Sequence, residues 1–240
     1  MKIRMARIAG LALTAILVLG MGLTAQAKKE KVGVLNKGVF TDNRFGFSIT
    51  MPKEWRDGGL RDEYSPERIS FLYKRTRVPA RLRDNPEEAL RPIVMVFADS
   101  NTLPTTAFVD SLRSGLTKDS FRDKILNKSV FFQRGAPNPA EQLRVQNVKI
   151  GGRDAVQYQM RREYAVQVQP EGRSVPELVR EFRSGWVYLI PLEGALVYME
   201  LVCERQFENE LQPEFEAFIN SVTFDQAAGD STAAPLESGE

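Results

Sequence analysis

The feature that most constrains the fold is an alternation of apolar and polar residues that extends from residue 145 to residue 204. In its longest segment Val156, Tyr158 and Met160 alternate with glutamine and arginine. Short sequences with glycine or proline interrupt the alternation, at 151–152, 170–172 and 191–194. Because successive side chains of a strand point to opposite faces, this pattern predicts an antiparallel meander whose long strand has one polar face.

The later strands of the meander carry the residues that we expect in the core. They are Phe182, Trp186, Tyr188 and Ile190 in one strand and Val197, Met199, Leu201 and Cys203 in the next. Tyr198, Glu200 and Glu204 fall on the opposite face of that last strand. We interpret the aromatic residues as core or sheet-covering groups. Free cysteine is among the most buried residue types, so we expect the thiol to be buried.

The first half of the chain predicts further strands and one helix. They are a hairpin over 38–51, strands at 69–73 and 92–97, and a helix over 105–117. Residues 119–133 fit either a helix or a strand, and their periodicity leaves both interpretations open.

A closing helix is indicated near the end of the chain. Phe215, Phe218, Ile219 and Val222 have the spacing of an apolar helical stripe, and Pro213 suits a first turn. Strands, a helix, more strands and a closing helix predict an α+β fold with an antiparallel sheet sandwiched between helices.

Two residue types are nearly absent, which excludes several functional classes. The 240 residues include no histidine and one cysteine. Without histidine there is no Ser-His-Asp or Cys-His catalytic group, no histidine-ligated zinc site and no imidazole pH switch. One thiol can neither close a disulfide within the chain nor complete a cysteine metal site. We therefore predict that the protein is not an enzyme and has no metal or cofactor.

The N-terminus has the organisation of an export signal. Its start is basic, residues 8–23 are apolar apart from threonine and glycine, and residues 25–27 are Ala-Gln-Ala. The apolar run is shorter than the ~20 residues that a membrane-spanning helix needs, although a retained anchor is the alternative. We expect a signal peptide over 1–27, no transmembrane segment after its cleavage, and a periplasmic or extracellular location.

Three segments are expected beyond the signal. Residues 28–37 are predicted to be a flexible lead-in, 38–224 one globular domain, and 225–240 a disordered acidic tail. Residues 28–224, the lead-in and the globular domain together, hold 30 basic and 27 acidic residues, so their net charge is close to neutral. A nearly neutral body argues against a nucleic-acid partner.

Three stretches together resemble PsbP-type domains. Residues 46–55 have the glycine-phenylalanine-strand-proline-x-x-tryptophan form that opens those domains. Residues 148–155 resemble the valine-x-x-glycine hairpin before their long strand, and residues 215–224 resemble their closing helix and terminal strand. The family includes the extrinsic photosystem II subunit PsbP, a Ran-binding import factor of the same fold and many bacterial exported proteins.

The resemblance implies an α/β/α sandwich and a role in binding or assembly, because members act chiefly by docking onto other proteins. Plant members bind metals partly through histidine, which this chain lacks. Residues 28–37 also do not match the segment with which plant members dock onto the photosystem. A photosynthetic role therefore does not carry over.

The most suggestive surface feature is a run of five bases without an acid at 74–83. The basic residues are Lys74, Arg75, Arg77, Arg81 and Arg83. An exposed loop of this kind attracts an acidic protein face or another anionic surface, and we predict that it binds the partner. The alternative is a solvated loop, partly neutralised by the acidic residues that follow.

The carboxylates have structural interpretations. Glu200 and Glu204 are four positions apart on one strand face, ~13 Å by strand rise, which is too far for a shared acid–base site. The glutamates between 208 and 216 suit the solvated face of the closing helix. The charged residues at 161–163 are expected to form cross-strand pairs.

Two hypotheses on function remain. The first is an exported, non-catalytic protein that binds a protein partner in the cell envelope or assists assembly of an envelope complex. The alternative is a small-ligand-binding protein or a carboxylate-based hydrolase with a cleft between sheet and helix. Paired carboxylates with a raised pKa in a deep polar cleft would favour the hydrolase, and a shallow basic or apolar surface would favour partner binding.

Overall fold

The computed structural model describes residues 33–61, 65–115, 117–169 and 175–225. The predicted signal peptide, the first half of the lead-in (28–32) and the tail beyond Asp225 lie outside the described residues. The strands are β1 (Val34–Asn36), β2 (Val39–Asp42), β3 (Phe47–Thr50), β4 (Trp55–Leu60), β5 (Glu67–Tyr73), β6 (Ile93–Ser100), β7 (Glu141–Ile150), β8 (Arg153–Val168), β9 (Glu177–Leu192), β10 (Ala195–Glu204) and β11 (Thr223–Phe224). The α-helices are α1 (Thr105–Ser114), α2 (Ser120–Lys128) and α3 (Glu208–Asn220).

Within the described ranges, seven strands form the main sheet in the order β4-β5-β6-β10-β9-β8-β7, and every neighbouring pair is antiparallel. The predicted meander forms one half of it. Because β10 pairs with β9 only from Arg183 to Leu192, residues 177–182 of β9 and their partners on β8 extend past β10 as a two-stranded arm.

Helices cover both faces of the main sheet. α1 and α2 pack on one face over a core that includes Phe97, Phe108 and Tyr198. α3 packs on the other face over an aromatic core that includes Trp55, Phe71 and Phe218. The period of two in β10 divides its side chains between these cores. The predicted fold class, an α+β fold with an antiparallel sheet between helices, is confirmed.

A second sheet of described strands has the order β1-β2-β3-β11. The lead-in prediction is wrong for Val34–Asn36, which forms β1 in register with β2. Pairing at a sheet edge requires only backbone groups, and Val34 is 54% exposed. The residues of this strand therefore show no alternation of apolar and polar types by which the sequence could reveal it.

The segment that the sequence left open is a helix. The carboxylate of Asp119 accepts a hydrogen bond of 2.9 Å from the amide of Arg122, which caps the start of α2. Phe121, Ile125 and Leu126 are buried along one side of it. Burial of this stripe against the main sheet therefore settles the conformation that periodicity alone left undecided.

Two predicted helix boundaries are wrong. α1 ends at Ser114, because Gly115 takes a left-handed conformation with φ of 64° and closes the helix. α3 begins at Glu208, so that Pro213 lies inside the helix instead of in its first turn. Pro213 is exposed, and so is Asn209, the residue four positions earlier whose carbonyl lacks a proline N–H as donor.

A buried ion pair joins the two sheets. Nε of Arg68 in β5 lies 2.5 Å from Oδ2 of Asp42 in β2, and both side chains are completely buried. The other oxygen of Asp42 accepts the amides of Arg44 and Phe45. The aspartate thus fixes the turn between β2 and β3 and its contact with the main sheet. No helix among the described residues is long and apolar enough to cross a membrane.

Candidate functional site

The predicted basic loop connects β5 to β6, and three of its five bases contact other parts of the same domain. Nζ of Lys74 donates a hydrogen bond to a backbone carbonyl in the turn before β4. Nε of Arg75 lies 3.9 Å from Oε2 of Glu54. Arg77 forms an ion pair with Glu210 of α3. These three bases are therefore partly used in holding the loop to the domain.

The other two bases of the loop keep their charge unpaired. Arg81 and Arg83 are exposed and form no ion pair with another described residue. Leu82 between them is completely buried in a 3-10 turn. The buried leucine anchors the turn, so the two arginines are presented from a fixed backbone.

Arg81 lies beside two arginines that are distant in sequence. Arg180 of β9 and Arg205, which follows β10, line the same open depression of about 560 Å³. Phe182 forms part of its wall, and the guanidinium carbon of Arg205 lies 5.6 Å from the centroid of that ring. We call Arg81, Arg180, Phe182 and Arg205 the arginine surface.

The charges of the arginine surface are only partly neutralised. Arg180 forms an ion pair of 3.1 Å with Glu163, and Glu181 lines the same depression. Arg81 and Arg205 have no acidic partner among the described residues. The surface therefore presents unneutralised positive charge around an aromatic ring, with carboxylates at defined positions beside it.

A second candidate site is a cleft of about 350 Å³ on the same face of the main sheet, between α3 and strands β7 to β9. Its floor consists of two rows of side chains that lie opposite one another across the strands. One row is Gln146, Gln157 and Tyr188, and the other is Arg144, Gln159 and Trp186. The wall on the α3 side is Glu208, Asn209, Gln212, Phe215 and Glu216. We call this site the glutamine cleft.

Hydrogen bonds fix the first row of the cleft. Nε2 of Gln146 donates to Oε1 of Gln157, whose Nε2 donates to the hydroxyl oxygen of Tyr188 at 2.5 Å. Burial raises the pKa of Tyr188, although the hydrogen bond from Gln157 acts in the opposite direction. The phenol is therefore neutral at physiological pH and retains its own proton to donate.

The second row is held by α3. Nε2 of Gln159 donates to Oε1 of Glu208 at 3.1 Å, and the hydroxyl of Ser184 donates to Oε2 of the same carboxylate at 2.8 Å. The ring of Trp186 packs edge-on against Phe215 with centroids 5.7 Å apart. Both rows are thus positioned by strands and a helix instead of by loops, which makes the site rigid.

Two carboxylates with a raised pKa lie on the opposite face of the main sheet. Glu200 is completely buried and accepts hydrogen bonds from the hydroxyl of Ser129 at 2.5 Å, the amide of Val130 at 2.6 Å and the hydroxyl of Tyr198. Burial raises the pKa of Glu200, although these hydrogen bonds act in the opposite direction. The carboxylate therefore ties the turn after α2 to β10.

Glu204 has a similar structural position. It is 1% exposed and accepts the amide of Leu90 at 2.7 Å and the hydroxyl of Tyr164 at 2.8 Å. Burial raises the pKa of Glu204 as well, and the hydrogen bonds and the nearby Arg183 act against that rise. Its bonds hold the segment before β6 against β8 and β10.

These positions bear on the hydrolase alternative. A carboxylate-based hydrolase needs carboxylates with a raised pKa at a surface that a substrate can reach. Glu200 and Glu204 lie in the interior instead, on the face away from the glutamine cleft. The described residues also contain no group of three or more His, Cys, Asp or Glu side chains placed to hold a metal ion.

The charged residues at 161–163 form two cross-strand pairs, as predicted. Arg161 lies 2.6 Å from Glu141, which is directly opposite on β7, and Glu163 pairs with Arg180. Arg162 differs, because it faces the α2 side, is buried, and donates to the carbonyl of Val130 at 2.5 Å.

The glutamine cleft was not predicted as a site. The sequence assigned Gln157 and Gln159 to a polar strand face, and Trp186 and Tyr188 to the core face of the next strand. The register places the two pairs directly opposite each other on one face of the sheet. Alternation within one strand shows which residues share a face, whereas strand pairing decides which faces meet. The feature of the sequence that could have indicated the site is this pair of glutamines, two positions apart on one strand face.

Comparison by sequence finds no matching family model and no matching curated protein. Comparison by structure finds similar solved proteins. The solution structure of cyanobacterial PsbP (CyanoP) from Synechocystis sp. PCC 6803 has a TM-score of 0.46 and 13% identity, over 81% of this chain and 95% of that chain. LpqN, described as involved in cell envelope biogenesis of Mycobacterium tuberculosis, has a TM-score of 0.38 and 14% identity, over 74% of this chain and 82% of that chain.

A crystal structure from Bacteroides thetaiotaomicron VPI-5482 is also similar, with a TM-score of 0.36 and 13% identity. The match covers 80% of this chain and half of that longer chain. The similar solved structures thus include a PsbP, the type of domain that the three sequence stretches resemble.

Proposed function

We propose that the protein is an exported, non-catalytic binding protein that docks onto an acidic protein partner in the cell envelope and assists assembly of that partner's complex. The observation that carries this proposal is the convergence of Arg81 with Arg180 and Arg205 around one aromatic ring. Arginine and aromatic side chains are the groups that contribute most at protein interfaces. Export is supported by the signal-like composition of residues 1–27.

The pattern of charge favours a protein over a lipid surface as the partner. Glu181 and Glu163 lie among the arginines, and a uniformly anionic bilayer would repel both carboxylates. A protein face with charges of both signs can complement the arginines and the glutamates together. We therefore assign the arginine surface to an acidic protein face.

The test begins with identification of the partner through the surface itself. A photo-crosslinking residue at Gln206, an exposed position in the depression, is introduced into the full chain in its native envelope. The crosslinked partner is then purified, and its affinity is measured for the unmodified protein and for the Arg81→Gln, Arg205→Gln double variant. Loss of two unpaired charges should weaken binding at low salt by about tenfold and make it less salt-dependent.

A matched control removes the same charge from the opposite face. Lys118→Gln with Lys124→Gln, before and within α2, should leave the affinity unchanged, and both double variants should keep the melting temperature. Equal affinity of the arginine variant and the unmodified protein at low salt would exclude the arginine surface as the docking site. Binding to anionic vesicles that depends on the same two arginines would show that the arginine surface binds lipid instead of a protein, and it would overturn the proposal.

A further inference from the structure

The glutamine cleft adjoins the arginine surface but differs from it in chemistry. Asn209 lines both sites. The rest of this sheet face, under α3, is aromatic core. The amide groups of the cleft lie beside that core, at the β7–β9 end of the sheet face, where they gain little from apolar packing and are costly unless they are hydrogen-bonded. Their concentration in an open cleft, in two registered rows, therefore indicates a ligand that exchanges hydrogen bonds with amides.

The floor retains hydrogen-bonding capacity after its internal bonds are formed. The hydroxyl hydrogen of Tyr188 has no acceptor among the described residues. Each glutamine amide group has two hydrogens and two lone pairs, and the bonds of Gln157 and Gln159 use only part of them. The floor thus keeps both donors and acceptors, which suits a ligand whose groups both donate and accept.

The charges of the cleft favour a neutral ligand. Glu208 already accepts two hydrogen bonds, and Glu216 accepts one of 2.8 Å from Gln212. An anionic ligand would lie against these two carboxylates, and a cationic ligand would meet the guanidinium of Arg144. Because an anionic ligand is repelled by the glutamates of the cleft and a cationic ligand by its arginine, a neutral polar ligand is the best match.

Trp186 adds an aromatic surface to this polar floor. The indole is partly exposed in the cleft, and its contact with Phe215 holds the ring in place. A ring bordered by amides fits a ligand with an apolar C–H face and polar edges. Of neutral polar ligands, pyranose sugars combine these two properties in one ring.

We propose that the glutamine cleft binds a neutral saccharide, whose C–H face packs on Trp186 and whose hydroxyl groups exchange hydrogen bonds with the two glutamine rows. The cleft volume of about 350 Å³ lies within the range of small-ligand sites. This proposal does not rest on the docking function of the arginine surface.

The test uses the intact protein and three related sugars that differ in charge. The probes are glucose, glucose 6-phosphate and glucosamine, followed by neutral disaccharides of glucose, galactose and N-acetylglucosamine. Binding is followed by the side-chain amide signals of the glutamines in a nitrogen-15 spectrum and by saturation transfer to the sugar. We expect saturable binding of at least one neutral sugar in the millimolar range or better, and binding of its charged forms weaker by about tenfold or more.

Variants decide where the sugar binds. Gln157→Ala and Trp186→Leu should each weaken binding by about tenfold or more. Gln167→Ala is the matched control, because Gln167 lies on the same strand and points to the same face but is outside the cleft. Thermal melting shows whether each variant is folded. Tighter binding of a charged sugar, affinity unchanged by Gln157→Ala in a folded variant, or no saturable binding of any neutral sugar at millimolar concentration would each overturn the proposal.

Discussion

The thiol of Cys203 is completely buried on the α3 side of β10, and its Sγ lies 3.8 Å from the carbonyl oxygen of Ser184. Burial raises the pKa of the thiol, and the carboxylates of Glu208 and Glu204 raise it further. The thiolate, which is the reactive form, is therefore not populated near neutral pH. The sequence predicted this burial correctly, because Cys203 is in step with three aliphatic residues of one strand.

We expect the thiol to react only when the protein unfolds. A thiol reagent should label denaturant-unfolded protein rapidly and native protein at the much slower rate of opening. Cys203→Ser should lower the free energy of unfolding by about 1–3 kcal/mol, because it places a hydroxyl in an apolar site. Fast labelling of the native protein, or a reducible dimer on a gel, would contradict the burial.

The pH dependence of stability follows from Glu200. Its folded pKa is raised above the ordinary value of 4.5, so between these two values the folded state holds a proton that the unfolded state has released. The contribution of Glu200 to the free energy of unfolding is therefore fully present below this window and falls as the pH rises through it. Glu200→Gln imitates the protonated form and should reduce that slope by one proton, as measured by urea unfolding at a series of pH values.

Glu200→Ala provides the contrast. It leaves the part-buried amide of Val130 without its acceptor, which costs about 1–3 kcal/mol, whereas the amide of Phe131 keeps the hydroxyl of Ser129 as an acceptor at 3.1 Å. Glu204 also has a raised pKa, but it is common to all three proteins and does not affect their difference. Identical slopes in the unmodified protein and in Glu200→Gln would show that the Glu200 carboxylate keeps its ordinary pKa.

At the scale of elements, apolar periodicity predicted the strands well where one face is buried and the turns are short. It did not predict β1, because the side chains of that strand are mostly exposed. It left α2 undecided, because a short apolar stripe fits both the helical and the strand period. The end of α1 depends on one left-handed residue, Gly115, which is not distinguishable in the sequence from other glycines. Boundaries set by single backbone angles are therefore less predictable than elements set by burial.

Two glycines of the meander test this distinction. A Cβ atom at Gly185, in the middle of β9, would lie 1.8 Å from the carbonyl oxygen of Leu201 on β10. Gly185→Ala must separate these strands, and we expect a loss of more than about 4 kcal/mol of unfolding free energy or failure to fold. At Gly152, in the turn before β8, φ is +83° and nothing lies within 4 Å of the added atom.

The control variant Gly152→Ala should therefore cost only the strain of a left-handed residue, about 1–2 kcal/mol. Chemical denaturation of both variants measures the difference. Similar losses for the two would mean that β9 and β10 can move apart at Gly185 at little cost.

At the scale of the whole molecule, the sequence predicted the layers but not how they meet. The order of strands and helices was sufficient for the sandwich, because each element must bury its apolar side. The ion pair of Asp42 with Arg68, and the depression shared by Arg81, Arg180 and Arg205, each join residues from distant segments. No local spacing connects such residues, so the basic loop was visible in the sequence and its surroundings were not.

The C-terminal boundary of the fold is a final prediction at this scale. β11 adds to the edge of β3, where Phe224 lies opposite Phe47 with ring centroids 6.3 Å apart, and the amide of Asp225 donates to the carbonyl of Gly46 at 2.9 Å.

The sequence beyond Asp225 contains one large apolar residue, Leu236. A chain that ends at Asp225 should therefore have a free energy of unfolding within about 0.5 kcal/mol of that of the full chain. A chain that ends at Val222 also loses the Phe224 ring and the β11 hydrogen bonds, and it should be less stable by about 1–3 kcal/mol. Urea unfolding of the three chains measures both steps, and a loss of more than about 1 kcal/mol for the chain that ends at Asp225 would show that the following residues pack against the domain.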